Sequence, residues 1–226
     1  MNGEVVLAED VAETFTRVVM AAFDSRRRDL FSIALSGGTT ARRCYERLAE
    51  HDDAVFWRHL ELFWGDERCV PLDDEDSNHL LARRALGERF AAVHSTHPMT
   101  CADDGAERYN ALLAASPPLD LVHLGLGPDG HTASLFPGSA ALHAEPGKLV
   151  SSNLDTTGTN PHRRLTLTQA GITSALLVVV TVEGVAKRDA LRRVLEGDRT
   201  LPATDVDAEN LLWIVDADAL GASRSR

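Results

Sequence analysis

Short apolar runs alternate along the chain with polar-flanked stretches of helical character. Phe31–Leu35 is apolar and ends in Ser36-Gly37-Gly38, and residues 39–50 behind it read as a helix. Leu60–Trp64 is apolar and breaks into a charged loop over 65–78, where Ser77-Asn78 is placed to cap a helix running through Leu86. Residues 103–115 read as a helix stopped by Ser116-Pro117-Pro118. Residues 119–124 form an apolar strand entering a glycine-rich turn, and residues 175–182 form a β-branched strand followed by a helix over 184–195. Leu211–Val215 is a last strand, and Asp216-Ala217-Asp218-Ala219 begins a short terminal helix. Residues 146–162 combine Gly, Asn, Thr and Pro and read as a long surface loop, and residues 223–226 as a frayed end.

Strands without polar alternation are buried on both faces, as in a parallel sheet covered by helices. The pattern predicts a doubly wound α/β fold with a mostly parallel sheet, in a single domain of 226 residues. Such sheets bind ligands beyond the carboxyl ends of their strands. Three polar segments fall there, 36–40, 65–78 and 125–131, and are expected to converge on one site.

Composition narrows the partners. The net charge of −11 argues against nucleic acid or an anionic membrane, while leaving room for a local cationic pocket that takes a small anion. An aromatic share of 5% predicts a core of mostly Leu, Val and Ala. Cys44, Cys69 and Cys101 are odd in number and far apart, so neither a disulfide nor a zinc site is expected. With no apolar leader in the first ten residues and no run near the ~20 residues of a membrane span, the cytoplasm is the expected location.

Candidate chemistry sits in the three polar segments. Ser36-Gly37-Gly38-Thr39-Thr40 opens a helix, and its backbone N–H groups and hydroxyls suit a phosphate; it also fits an ordinary strand-to-helix turn. Trp64-Gly65-Asp66-Glu67-Arg68 offers Arg68 to a substrate oxygen and Asp66 to orient substrate or water, or is a solvated charge cluster. In Gly125-Leu126-Gly127-Pro128-Asp129-Gly130-His131, His131 at a helix start is placed for Asp129 to fix its tautomer, as a general base needs, although a capping histidine has the same pattern. His51, His59, His94 and His97 lack such a setting and read as surface or structural. Arg164 precedes a β-like stretch, and Lys187 in a helix's first turn is unfavourable unless an anion offsets it. Arg26-Arg27-Arg28 reads as a solvated helix end. No metal-ligand spacing and no G-x-S-x-G elbow occur, and no cofactor is expected.

Taken together, Ser36-Gly37-Gly38-Thr39-Thr40, Trp64-Gly65-Asp66-Glu67-Arg68, Ser77-Asn78, the 125–138 segment, Arg164-x-Thr166 and Gly184-x-x-Lys187 resemble the 6-phosphogluconolactonase family, similar in fold to glucosamine-6-phosphate deaminase. The resemblance spans residues 31–213. It implies a three-layer α/β fold and hydrolysis of 6-phospho-D-glucono-1,5-lactone in the oxidative pentose phosphate pathway. His131 would be the base and Asp129 its orienter, with Asp66 and Arg68 beside the lactone. The 36–40 loop, Arg164 and Lys187 would hold the phosphate. Where the deaminase pattern reads F-N-E-P-G, this chain has Ser134-Leu135-Phe136-Pro137-Gly138, with Phe136 in the acid's position. Ring opening and loss of an amine need extra proton transfers that an acid there would serve, so the change favours the lactonase. Thr40 stands where the family more often has Pro, a departure that bears on loop rigidity. A non-catalytic sugar-phosphate sensor on the same fold is the alternative of another class. The expected partner is a small sugar-phosphate lactone, and the expected state a monomer or weak homodimer.

Overall fold

The computed structural model describes residues 3–155 and 161–222. Seven strands make one sheet in the order β1 (Glu4–Leu7), β10 (Leu211–Val215), β9 (Val178–Val182), β6 (Leu121–Gly125), β2 (Phe31–Leu35), β3 (Leu60–Trp64) and β5 (Ser95–Thr96). Every neighbouring pair is parallel. β2 and β9 are buried at all five positions, which is why their sequences show no polar alternation.

From β2 the chain winds outward through β3 to β5, and from β6 it winds the other way through β9 to β10. Right-handed crossovers then set α1 (Val11–Asp24), α2 (Thr39–Ala49) and α4 (Asn78–Leu86) on one face of the sheet. They set α5 (Gly105–Ala115) and α7 (Arg188–Leu195) on the other, giving the three-layer doubly wound fold. β2 and β6 are neighbours at the point where the winding reverses, so a crevice opens beyond their carboxyl ends.

The first element pair carries no motif. α1 nevertheless follows from its sequence: Asp10 accepts hydrogen bonds from the N–H groups of Ala12 and Glu13, and Val11, Phe15, Val19 and Phe23 recur every fourth position on the buried face.

Several expectations change. The segment 65–78 is not all loop: β4 (Asp66–Arg68) pairs antiparallel with β8 (Arg164–Leu167), which pairs with β7 (Val150–Asn153) in a second, three-stranded sheet. β7 likewise gives a strand to the stretch read as loop, of which 156–160 lie outside the described residues, as do 223–226. Short polar strands of this kind are decided by their partners, not by local propensity. Residues 184–195 divide into a 3₁₀ turn, Val185–Lys187, and α7. His131 lies in an irregular loop rather than at a helix start, close to the isolated Thr132–Leu135 bridge.

Cys69 and Cys101 form a disulfide, against the expectation of none. The start of α5 packs on Leu165 of β8, and β4 lies beside β8. The two Cα atoms therefore come within 5.1 Å although 32 positions separate them in sequence, a spacing a disulfide spans. Arg28 is no solvated end: it pairs with Asp120 at 2.8 Å. The core is mostly Leu, Val and Ala, as the low aromatic share predicts, and all three tryptophans and both tyrosines are buried among them.

Candidate active site

A cavity of about 540 Å³ lies at the crevice. Ser36, Gly37, Gly38, Thr39 and Thr40 line it, with Asp66, Arg68, His131, Arg164 and Lys187. The three segments singled out in the sequence thus meet in one place, and Asp129 reaches it through its bond to His131.

The 36–40 loop leaves β2 and becomes α2. The N-cap is Gly38, which offers no side chain to the first N–H groups, whereas Asp10, Ser77 and Asp216 cap α1, α4 and α8 (Ala217–Leu220) with side-chain oxygens. These N–H groups are available to an anion, and the helix dipole favours one there. Gly37 is fixed by space, since a Cβ on it would come 1.9 Å from Asn78 Oδ1.

Asp66 and Arg68 share one face of β4 and line the cavity, with Glu67 between them on the other face. Asp66 is buried; it accepts from Ser134 Oγ at 2.5 Å and from Asn78 Nδ2 at 3.2 Å. Glu67 is turned away from this chemistry. Its carboxylate accepts from the N–H groups of Arg68, Asn78 and His79 and from Ser77 Oγ, clamping the start of α4. Burial raises its pKa, and those four donors oppose the rise. Arg68 stands opposite Arg164 in the β4–β8 register. Arg164 is 4% exposed, and burial followed by the charge of Arg68 pushes its pKa down. Two guanidinium groups side by side are unfavourable without an anion, and the Nε atoms of both are buried without a partner.

His131 Nδ1 lies 2.5 Å from Asp129 Oδ1, which also accepts the His131 backbone N–H at 3.2 Å. Burial opposes ionisation of Asp129, but the hydrogen bonds and charge of His131 outweigh it and hold the carboxyl below its ordinary range. With Nδ1–H donated to Asp129, Nε2 carries the lone pair. The ring of Phe136 packs against the imidazole at a centroid distance of 5.0 Å, at the position where an acid would serve a deaminase. Lys187, in the 3₁₀ turn before α7, has its pKa lowered by burial, partly offset by Asp129.

The family model for glucosamine-6-phosphate isomerases/6-phosphogluconolactonase matches residues 3–213. The chain belongs to this family. The 6-phosphogluconolactonase of Nostoc sp. is 36% identical over 88% of this chain and 87% of its own. The 6-phosphogluconolactonase of Mycobacterium tuberculosis is 33% identical over 95% and 93%. Among solved structures, the 6-phosphogluconolactonase of Trypanosoma brucei superposes with a TM-score of 0.86 at 28% identity, covering 97% of this chain and 98% of its own. A monomeric glucosamine-6-phosphate deaminase shares the fold, with a TM-score of 0.80 at 20% identity over 99% and 100%.

In this family member three polar residues that the motifs contain without a role of their own support Asp66. Ser134 and Asn78 fix Asp66, and Thr166 Oγ1 accepts from the Ser134 backbone N–H at 3.1 Å. Ser134 carried no signal of its own, since its partner lies 68 positions away. Arg43 also lines the cavity, paired at 2.5 Å with Glu183. Among the described residues no helix is long and apolar enough to cross a membrane.

Proposed function

We propose that this chain hydrolyses 6-phospho-D-glucono-1,5-lactone to 6-phospho-D-gluconate, the lactone-opening step of the oxidative pentose phosphate pathway, and works as one catalytic domain. The observation that carries the reading is the 2.5 Å bond between His131 Nδ1 and Asp129, which leaves Nε2 free to take a proton. Nε2 removes a proton from water, and the water oxygen attacks the lactone carbonyl. Arg68 stabilises the tetrahedral oxyanion, and Asp66 orients the substrate. The C1–ring oxygen bond then breaks, and the imidazolium returns its proton to the leaving oxygen. The new acid ionises, so each turnover releases one proton. The 36–40 loop, Lys187 and Arg164 hold the phosphate, whose binding energy positions the carbonyl.

Phe136 beside His131 speaks against deamination, because that position has no group to move the additional protons. The test generates the lactone in place from glucose 6-phosphate with its dehydrogenase and follows product with phosphogluconate dehydrogenase. Acceleration above spontaneous opening is expected. Turnover of glucosamine 6-phosphate in its place would transfer the reading to the deaminase, and turnover of neither would leave a sensor.

A further inference from the structure

We propose that Tyr45 and His123 are positioning residues for the anion cradle, forming with Thr181 a buried hydrogen-bonded chain that fixes the cradle's first residue, Ser36. This rests on the phosphate role proposed for the 36–40 loop. Ser36 leaves β2 at the point where the cradle begins, so its backbone groups pass out of the sheet ladder. Tyr45, two turns into α2, takes both of them: Oη accepts from Ser36 N–H at 2.7 Å and faces Ser36 O at 3.2 Å. The same Oη lies 2.9 Å from His123 Nδ1, and His123 Nε2 lies 2.9 Å from Thr181 Oγ1 on the cavity wall. All four residues are at least 95% buried, and Phe15 packs on the imidazole with ring centroids 4.2 Å apart.

Tyr45 Oη has one proton to give, and Ser36 O and His123 Nδ1 both lie within its reach. At the far end the Thr181 hydroxyl also hydrogen-bonds the buried Cys44 side chain, which ties the chain into α2 a second time. Burial keeps the imidazole neutral, with its pKa down at about 3, so this arrangement persists across the physiological range. A histidine inside a parallel strand serves no packing purpose that a leucine would not. Its place is explained by the amide it helps to hold, one residue before the glycines that face the anion. The chain acts on the site through the backbone of Ser36, the first residue of the cradle, so its effect is expected on binding.

The test compares Tyr45→Phe, Thr181→Val and the double variant with the wild type. Leu48→Ala is the control, since it loosens α2 without removing a hydrogen bond. Readouts are KM and kcat for the lactone, Kd for inorganic phosphate by calorimetry, and Tm. Tyr45→Phe is expected to raise KM and the phosphate Kd about tenfold with kcat within about twofold, as for one lost buried hydrogen bond. The double variant should show less than the product of the single effects, because the residues act in one chain. Leu48→Ala should lower Tm alone. Unchanged KM and Kd in Tyr45→Phe, equal shifts in Leu48→Ala, fully multiplicative effects, or a wild type that does not bind phosphate would each overturn the proposal. A wild type that binds phosphate but leaves the lactone intact would remove the lactonase reading alone, and the Kd comparison would still decide the positioning role.

Discussion

A Cβ added to Gly127 would lie 2.2 Å from His131 Nδ1 and 2.5 Å from Asp129 Oδ1. Gly127→Ala should therefore displace the imidazole and lower kcat about 100-fold, the scale of a misplacement of about 1 Å, while the far-UV circular dichroism stays that of the wild type. His123 gives a stability prediction with a definite sign. Its folded pKa is depressed to about 3, whereas an unfolded histidine protonates near 6.5. Below that pH the unfolded chain takes up a proton that the native state refuses. Stability should then fall as pH drops from about 6.5 towards 3, with a slope of about 1.4 kcal/mol per pH unit from this group. Denaturant melts of wild type and His123→Gln between pH 4 and 7 would show the shallower slope in the variant. At this scale the legible residues were those whose neighbours in sequence are also their neighbours in space. Asp129 and His131 are two positions apart, while His123 meets partners 58 and 78 positions away and leaves no local trace.

The elements divide in the same way. β2, β3 and β10 were readable because burial on both faces keeps a strand mostly apolar, with single exceptions at Ser32 and Glu61. β4 escaped because its three residues, Asp-Glu-Arg, are each used by another element: Asp66 by Ser134, Glu67 by α4, and Arg68 by the cavity. The same division predicts opposite phenotypes along one strand. Glu67→Ala should cost about 2 kcal/mol or more in a denaturant melt, since four donors, two buried and two part-buried, lose their acceptor. Lys187, at the head of α7, makes the complementary case in binding. Its pKa is held down by burial, and a bound phosphate would raise it again. Lys187→Ala should raise KM about 10- to 100-fold, the worth of one charge-assisted contact, with kcat close to that of the wild type.

For the molecule as a whole, the alternation of elements was enough to place three loops at one crevice, because strand order and crossover handedness leave few alternatives. The disulfide was not legible, since Cys69 and Cys101 meet only through the second sheet. It closes a loop across 32 positions, for which chain entropy gives about 3–4 kcal/mol. Cys101→Ser should lose roughly that much stability relative to oxidised protein, and a reducing agent should abolish the difference. Within a chain of overall charge −11, Arg68, Arg164 and Lys187 are gathered at one cavity, where the carboxylates of Asp66, Glu183 and Asp216 also stand.

Activation of water by His131 is the step on which the proposed lactone opening depends. The most direct measurement is kcat for 6-phosphogluconolactone with wild type and His131→Ala side by side, in the presence of a chelator and at saturating substrate, with 6-phosphogluconate affinity measured on both. The variant is expected to lose about 100- to 10,000-fold in kcat with ligand affinity retained. A variant that turns over at close to the wild-type rate would contradict it and would require the base to be sought elsewhere in the cavity.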